Sequence, residues 1–259
     1  IKYGRYADWC GAGRASGRET CMRVAAGAVA CKILEKHGIK VIGHTSACMG
    51  IQARELTFEE IEANYRKNHI NCADLEAAEK MIARVLEIKD EGDTAGGVVE
   101  IMVRGVPAGL GEPVFDKLNA TLAHALMSIE AVRGVEIGAG FRVANMKGSE
   151  CNDLPYVDDA GKIRFRTNNS GGIEGGISTG EDIVIRLAVK PTSTISIDQD
   201  TVDMASMQNT TFAAVTRRDP TITARLVAVA EAMTRITILD HLMMWRGYDA
   251  VQNIEHPWT

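Results

Sequence analysis

The stretch RTNNSGGIEGGISTGEDIVIRLAVKPTST, residues 166–194, contains the signals that decide the fold. Glycine pairs at 171–172 and 175–176 stand among short polar residues, and an apolar, β-branched run follows that predicts a strand ending at KPTST. Glycines permit positive φ and close approach of the backbone to a ligand, so the loop is suited to an anion. A tight hairpin followed by a strand end explains the same letters equally well. The spacing matches neither GxxxxGK[ST] nor GxGxxG, and both interpretations stay open.

The composition limits the classes of partner. The chain has 259 residues, 46% of them hydrophobic and 24% charged, which is enough for a sizeable core. A formal charge of −5 and only 5% aromatic residues argue against a nucleic-acid partner or an acidic membrane surface. Six cysteines occur without a CxxC pair or matching histidines. This pattern predicts reduced thiols in a cytoplasmic protein and no metal site.

Two further clusters carry charge at the ends of predicted helices. RASGR, residues 14–18, opens a small-residue helix to about Lys36, and Ser16 with Glu19 forms a capping-box pattern. The small residues predict that this helix is central and buried, with Gly38 as its stop. RRDP, residues 217–220, precedes a long helix that runs through Trp245. The arginines are equally explained as solvated surface charge, and Asp219 as a plain cap.

The remaining chain alternates between helical and extended patterns. Strands are predicted over 39–53, 96–104 and 132–141, helices over 58–66, 73–90 and 113–129, and a surface loop or short hairpin over 195–214. The candidates for packing in the third helix are Phe115, Leu118, Leu122, His124, Ala125 and Met127.

Four blocks of this sequence resemble the chorismate synthase family. They are GRASGRETCMRVAAGAVACKIL, VRGVPAGLGEPVFDKLNATLAHALMSIEAVRGVEIGAGF, the stretch TNNSGGIEGGISTGEDIVIRLAVKPTST, and RRDP followed by a helix with AEAM. In the family's order, they cover most of residues 11–245. The resemblance implies an α+β fold, a β-α-β sandwich with central helices between antiparallel sheets, and a homotetramer.

The resemblance also implies an activity and a site. The family eliminates phosphate from 5-enolpyruvylshikimate 3-phosphate to give chorismate, and it requires reduced FMN (FMNH2) without net redox change. Asp219 matches the family aspartate that handles a proton near flavin N5. The positions that match the family's flavin contacts are Arg14, Ala15, Ser16, Glu130, Ala131, Gly175, Lys190, Pro191, Thr192, Ser193, Thr194 and Arg217.

The chain departs from the family pattern in three respects. The family's N-terminal part, with two histidines that act as acids and several substrate-binding arginines, has no counterpart in residues 1–259. We therefore expect a single chorismate synthase domain that lacks this part and cannot complete the active site as given. Arg218 replaces a usual histidine, Cys151 stands where histidine is frequent, and Glu174 replaces an apolar residue.

Two other functions remain open at this point. One is an FMN-dependent reductase that oxidises NADPH, and the other is a non-catalytic fragment for binding FMN or phosphate or for oligomerisation. Because no inserted reductase-like segment is present, the resemblance favours a monofunctional enzyme whose reduced FMN comes from outside.

Overall fold

The computed structural model describes residues 2–8, 13–214 and 219–252. The helices are α1 (Thr20–Lys36), α2 (Phe58–Asn64), α3 (Leu75–Asp90), α4 (Leu118–Met127), α5 (Gly148–Cys151) and α6 (Thr223–Gln252). The strands are β1 (Lys40–Cys48), β2 (Ile51–Gln52), β3 (Gly97–Arg104), β4 (Val132–Ile137), β5 (Pro155–Val157), β6 (Ile163–Phe165), β7 (Ile173–Glu174), β8 (Ile177–Ser178), β9 (Ile183–Val189), β10 (Gln199–Asp203) and β11 (Gln208–Phe212). Helices and antiparallel pairs confirm the α+β class.

The main sheet has five strands in the order β2-β1-β3-β9-β4. Along β9 the residues alternate between buried and less buried positions, with Ile183, Ile185 and Leu187 fully buried. This period of two is what an apolar, β-branched run produces in a sheet that covers a core on one face. Two further predicted strands, β1 and β3, begin within one residue of the expected positions.

The chain divides into two compact units. Unit 1 comprises Ile1–Gly43, Glu100–Leu187 and Ala228–Thr259, and unit 2 comprises His44–Val99 and Ala188–Val227. The prediction of a single domain that lacks an N-terminal part stays a prediction.

Helix α1 in unit 1 differs from the expectation that it is buried on several sides. It buries only a narrow face, Gly27, Ala30 and Leu34. A Cβ on Gly27 would lie 2.4 Å from that of Ala232, so the absence of a side chain lets α1 lie against α6. On the other side Met22 and Val29 are 71% and 62% exposed.

A cavity of about 820 Å³ lies beside this helix, between α1, α4 and α6. Its walls include Val29, His124 and Met243. His241 is 3% exposed and its Nε2 lies 2.7 Å from the Thr121 hydroxyl. Burial lowers the pKa of His241, and the carboxylates of Asp240, Glu112 and Asp116 oppose that shift. The neutral ring is therefore favoured in this cavity.

The predicted helix over 113–129 begins later than expected. Leu118, Leu122 and Leu126 are fully buried in α4 and confirm the apolar face. Phe115, in contrast, is 89% exposed and lies outside the helix, and His124 is also exposed. The reason is local, since Val114 has a φ of 66° and an α-helix cannot pass through a left-handed residue.

Unit 2 has its own core beneath α3. Met81, Val85 and Ile88 of this helix pack with the two buried cysteines Cys48 and Cys72. Burial raises the pKa of both thiols to about 11, so both stay protonated at neutral pH. Strands β10 and β11 form an exposed antiparallel hairpin, which confirms the expected surface hairpin over 195–214. Within the described ranges, no helix is both long and apolar enough to cross a membrane.

Candidate functional site

The start of α1 is organised differently from the predicted capping box. The Ser16 hydroxyl accepts hydrogen bonds from Arg18, at 3.4 Å from the backbone N and 2.9 Å from Nε. Residues Gly17–Glu19 form a 3₁₀ turn, and α1 begins only at Thr20. Glu19 pairs instead with Arg23, at 2.8 Å between Oε1 and Nη2. The cap is therefore a serine on a 3₁₀ turn.

Arg23 joins the start of α1 to the end of α4. Its Nη1 donates to the Ser128 hydroxyl at 2.6 Å, and Nη2 donates to the Ser128 carbonyl at 3.3 Å. Glu130 and Ala131 follow directly, with Ala131 at a φ of 70° and the Glu130 Oε2 atom buried without a hydrogen-bond partner in the described structure. Arg23 thus links the first turns of α1, which follow the predicted residues 14–16, to Ser128, which precedes the predicted Glu130 and Ala131.

Gly175 lies in a tight hairpin. Gly175 and Gly176 connect β7 and β8 with φ values of 61° and 99°, which a two-residue hairpin turn of the primed type needs. A Cβ on Gly176 would lie 2.4 Å from Lys117 Cγ, whereas one on Gly175 would meet nothing within 4 Å. The hairpin interpretation is therefore right, and Gly175 also leaves open space for a ligand.

The hairpin lies at the opposite end of α4 from Glu130. Leu118, the first residue of α4, donates its amide to the Gly176 carbonyl at 2.8 Å. Ten helical residues span about 15 Å. Unit 1 thus places Gly175 and Ala131 at the two ends of one helix and does not bring them into contact. Glu174 is exposed beside the turn.

The segment before the hairpin is organised by Asp153. Its carboxylate accepts from the Thr167 hydroxyl at 2.6 Å and from the amides of Asn169 and Ser170 at 2.7 and 2.8 Å. Burial raises the pKa of Asp153, but these hydrogen bonds outweigh it and the net pKa is lowered. Cys151 is half-buried, and its carbonyl accepts from the Asn169 side chain. The described structure gives the Cys151 thiol no part in these contacts.

In unit 2 the structure brings KPTST and Asp219 together. The Thr192 hydroxyl donates to the Asp219 carbonyl at 3.3 Å, and the Thr192 carbonyl accepts from Thr94 at 2.7 Å. The amide of Ala95 donates to the Pro220 carbonyl at 2.7 Å. Two predicted clusters, 27 residues apart in sequence, therefore lie together in unit 2.

Two glycines predicted only as strand residues, Gly96 and Gly97, leave space for the segments that pack beside them. A Cβ on Gly96 would lie 2.8 Å from the Val189 carbonyl oxygen, and one on Gly97 would lie 2.7 Å from the Ala47 carbonyl oxygen. Neither has positive φ, so it is space and not conformation that requires glycine here. The glycine pair at the start of a predicted strand was the signal in the sequence that could have indicated this close packing.

Several donors in these regions are free to bind a ligand. In the part of the chain that the structure describes, the side chains of Arg14, Lys190, Ser193 and Thr194 form no hydrogen bond or ion pair. A flavin phosphate needs cations and hydroxyl donors of this kind, so Lys190, Ser193 and Thr194 of unit 2 fit the implied cofactor, and Arg14 of unit 1 fits it by itself. Arg217 and Arg218 lie outside the described residues. Within the described ranges, no group of three His, Cys, Asp or Glu residues is arranged to hold a metal ion.

The sheet, its helices and the donor groups at their ends define an α+β protein with exposed cationic and hydroxyl groups. A family profile described as chorismate synthase matches residues 1–243. The chain is 59% identical to the chorismate synthase of Acetivibrio thermocellus and 54% identical to that of Methanosarcina mazei, over 99% and 91% of its length. The chain therefore belongs to the chorismate synthase family.

A solved structure supports the same assignment. A crystal structure of a chorismate synthase superposes with a TM-score of 0.76 at 30% identity, covering 90% of this chain and 65% of that one. This confirms the predicted fold. The chain spans 66% and 64% of the length of the two relatives named above.

Proposed function

We propose that this chain forms part of a chorismate synthase that converts 5-enolpyruvylshikimate 3-phosphate into chorismate and phosphate with reduced FMN. The observation that carries the proposal is the contact between the Thr192 hydroxyl and the Asp219 backbone carbonyl, because it holds a lysine-hydroxyl segment beside a residue that carries a carboxylate. Family membership over residues 1–243 supports the same reaction. We further propose that the complete protein is cytoplasmic and homotetrameric.

The reaction sets out what the residues must do. The C–O bond to phosphate and a C–H bond at C6 break, a new C=C bond forms, and phosphate and a proton leave without net oxidation. Bound reduced FMN would supply electron density to the allylic system and a basic N5 atom. The protein must hold the reactants in contact, exclude water and neutralise the phosphate charge.

The residues of the two units suit separate parts of this task. Arg14 and Lys190 would bind phosphate groups through their free cationic side chains, with Ser193 and Thr194 as hydroxyl donors. Gly175 would let a ligand approach the backbone, because no atom of the described structure occupies the space beside it. Asp219 would hold or release a proton at its carboxylate.

Anaerobic formation of chorismate with chemically reduced FMN tests the proposal. This chain would be assayed beside a longer chain carrying the amino-terminal part that the family resemblance predicts. We expect turnover only in the longer chain, since the predicted missing histidines and arginines belong to the site. NADPH oxidation in place of chorismate formation, or tight FMN binding without turnover in both chains, would contradict the synthase assignment.

A further inference from the structure

The backbone of Asp219 is held from two sides in unit 2. Thr192 donates to its carbonyl, and the next carbonyl, that of Pro220, accepts from Ala95. Residues Ala95 and Thr221 also form a parallel β-bridge. These contacts fix where the side chain of Asp219 starts, but they leave its χ1 rotation undetermined, and an aspartate has three staggered χ1 rotamers.

The side chain of Asp219 has one partner among the described residues, Arg225. The Arg225 Nη1 atom donates to Asp219 Oδ2 at 2.8 Å, and Oδ1 accepts no hydrogen bond within the described structure. Arg225 belongs to the first turn of α6, which begins at Thr223. A cation is disfavoured there because the helix dipole is positive at its amino end. Helix stability therefore does not explain an arginine at this position, whereas the ion pair does.

We propose that Arg225 is a positioning residue that selects the rotamer of Asp219 and thereby aims Oδ1 at the reacting groups, an inference that rests on the proposed function. The guanidinium takes up Oδ2 and leaves the second oxygen available for proton transfer. A fixed carboxylate matters because small errors in the position of a catalytic group lower rates strongly. Arg225 itself would touch neither substrate nor cofactor.

The exposure of the ion pair between Arg225 and Asp219 allows a positioning role to be distinguished from a role in stability. The side chains of Arg225 and Asp219 are 72% and 39% exposed, and ion pairs so exposed contribute little to stability because water screens the charges. Removal of Arg225 should therefore change catalysis much more than folding. A second exposed pair in unit 2, Arg54 with Glu60 at 2.6 Å and 60% and 36% exposed, provides a matched control.

The experiment uses the full-length protein with Arg225→Gln, Arg225→Lys, Arg54→Gln and Asp219→Asn, and the double variant Asp219→Asn with Arg225→Gln. We expect Arg225→Gln to lower kcat about tenfold to a hundredfold, with KM and the FMN dissociation constant changed less than about twofold. Arg225→Lys should recover part of the loss, and Arg54→Gln should match the unchanged protein. In the double variant the arginine change should add nothing, because its effect passes through Asp219.

Three results would overturn the inference. They are an unchanged kcat in Arg225→Gln, a rise in KM that accounts for the whole effect, and an undiminished arginine effect in the Asp219→Asn background. Inactivity of the unchanged full-length protein would instead sink the proposed function. Crystal structures of the unchanged and Arg225→Gln proteins test the positioning role even then. Retention of the same Asp219 rotamer without Arg225 would refute it, and a changed or mixed rotamer would support it.

Discussion

The two regions that contain predicted site residues are held together in different ways. In unit 1, a single side chain connects the start of α1 to the end of α4, since Arg23 bonds both Glu19 and Ser128. In unit 2, a hydrogen bond to a backbone carbonyl holds residues 190–194 against Asp219. Gly96 leaves space for Pro191, Gly97 leaves space for Thr223, and the nearby arginine, Arg225, is exposed. An arginine beside a candidate site can thus be a structural link in one region and a functional residue in the other. Burial and the number of partners distinguish them.

The largest predicted effect comes from filling the space in unit 2. Gly97→Ala would place a Cβ 2.7 Å from the Ala47 carbonyl oxygen and 2.9 Å from the Thr223 hydroxyl oxygen, so strand or helix must move. We expect a loss of about 3 kcal/mol in the free energy of unfolding, although alanine suits a strand better than glycine does. Urea unfolding monitored by circular dichroism measures this change in the free energy of unfolding.

Gly148→Ala is the matched control for that substitution. A Cβ at Gly148 would meet nothing within 4 Å, and its φ is not positive. The free energy of unfolding should stay within about 0.5 kcal/mol. Equal losses in the two variants would mean that the space at Gly97 does not hold this region.

The next effect concerns the side-chain link in unit 1. Arg23→Gln removes the ion pair to Glu19 and the hydrogen bonds to Ser128 from a side chain that is only 22% exposed. We expect a loss of about 2 kcal/mol in the free energy of unfolding, because a half-buried carboxylate loses its partner. Arg84→Gln, which removes exposed ion pairs with Glu87 and Glu91, should cost much less, because water screens charges so exposed. If Arg23→Gln loses no more stability than this control, Arg23 is not a structural link and the contrast with the exposed Arg225 fails.

The smallest expected effect is a loss of stability at low pH, to which one carboxylate in each unit contributes. The pKa of Asp74 is lowered, first by the hydrogen bond from the Arg54 amide and then by the amides of Ala77 and Glu76 against an opposing effect of burial. The pKa of Asp153 is lowered too. Since both folded pKa values are depressed, the stability they contribute is present above about pH 4 and is lost as the pH falls through the folded values.

Urea midpoints at pH 7 and at about pH 3 test this expectation. Asp74→Asn and Asp153→Asn should each be less stable than the unchanged protein at pH 7 and lose less stability on acidification. If one variant keeps the full acid sensitivity, the carboxylate in that unit does not contribute to it.

Local patterns in the sequence predicted most of the elements but not their contacts. The apolar run at 183–189 and the small-residue helix ending near Lys36 are confirmed, because side-chain periodicity and the stop at Gly38 are local signals. The start of α4 was predicted too early, before Phe115, because a valine gives no sign in the sequence of the positive φ that Val114 adopts. The roles of Gly97 and Arg225 depend on partners distant in sequence or in another element, which periodicity does not encode.

The cavity beside α1 has a practical consequence for stability measurements. Its walls and the exposed Met22 and Val29 offer apolar surface in the folded state of this chain. Environment-sensitive fluorophores such as anilinonaphthalene sulfonate or SYPRO Orange would stain that surface before any unfolding. A dye-based melt of this chain would therefore start from a high baseline, and intrinsic spectroscopic signals are the sounder choice for comparing variants.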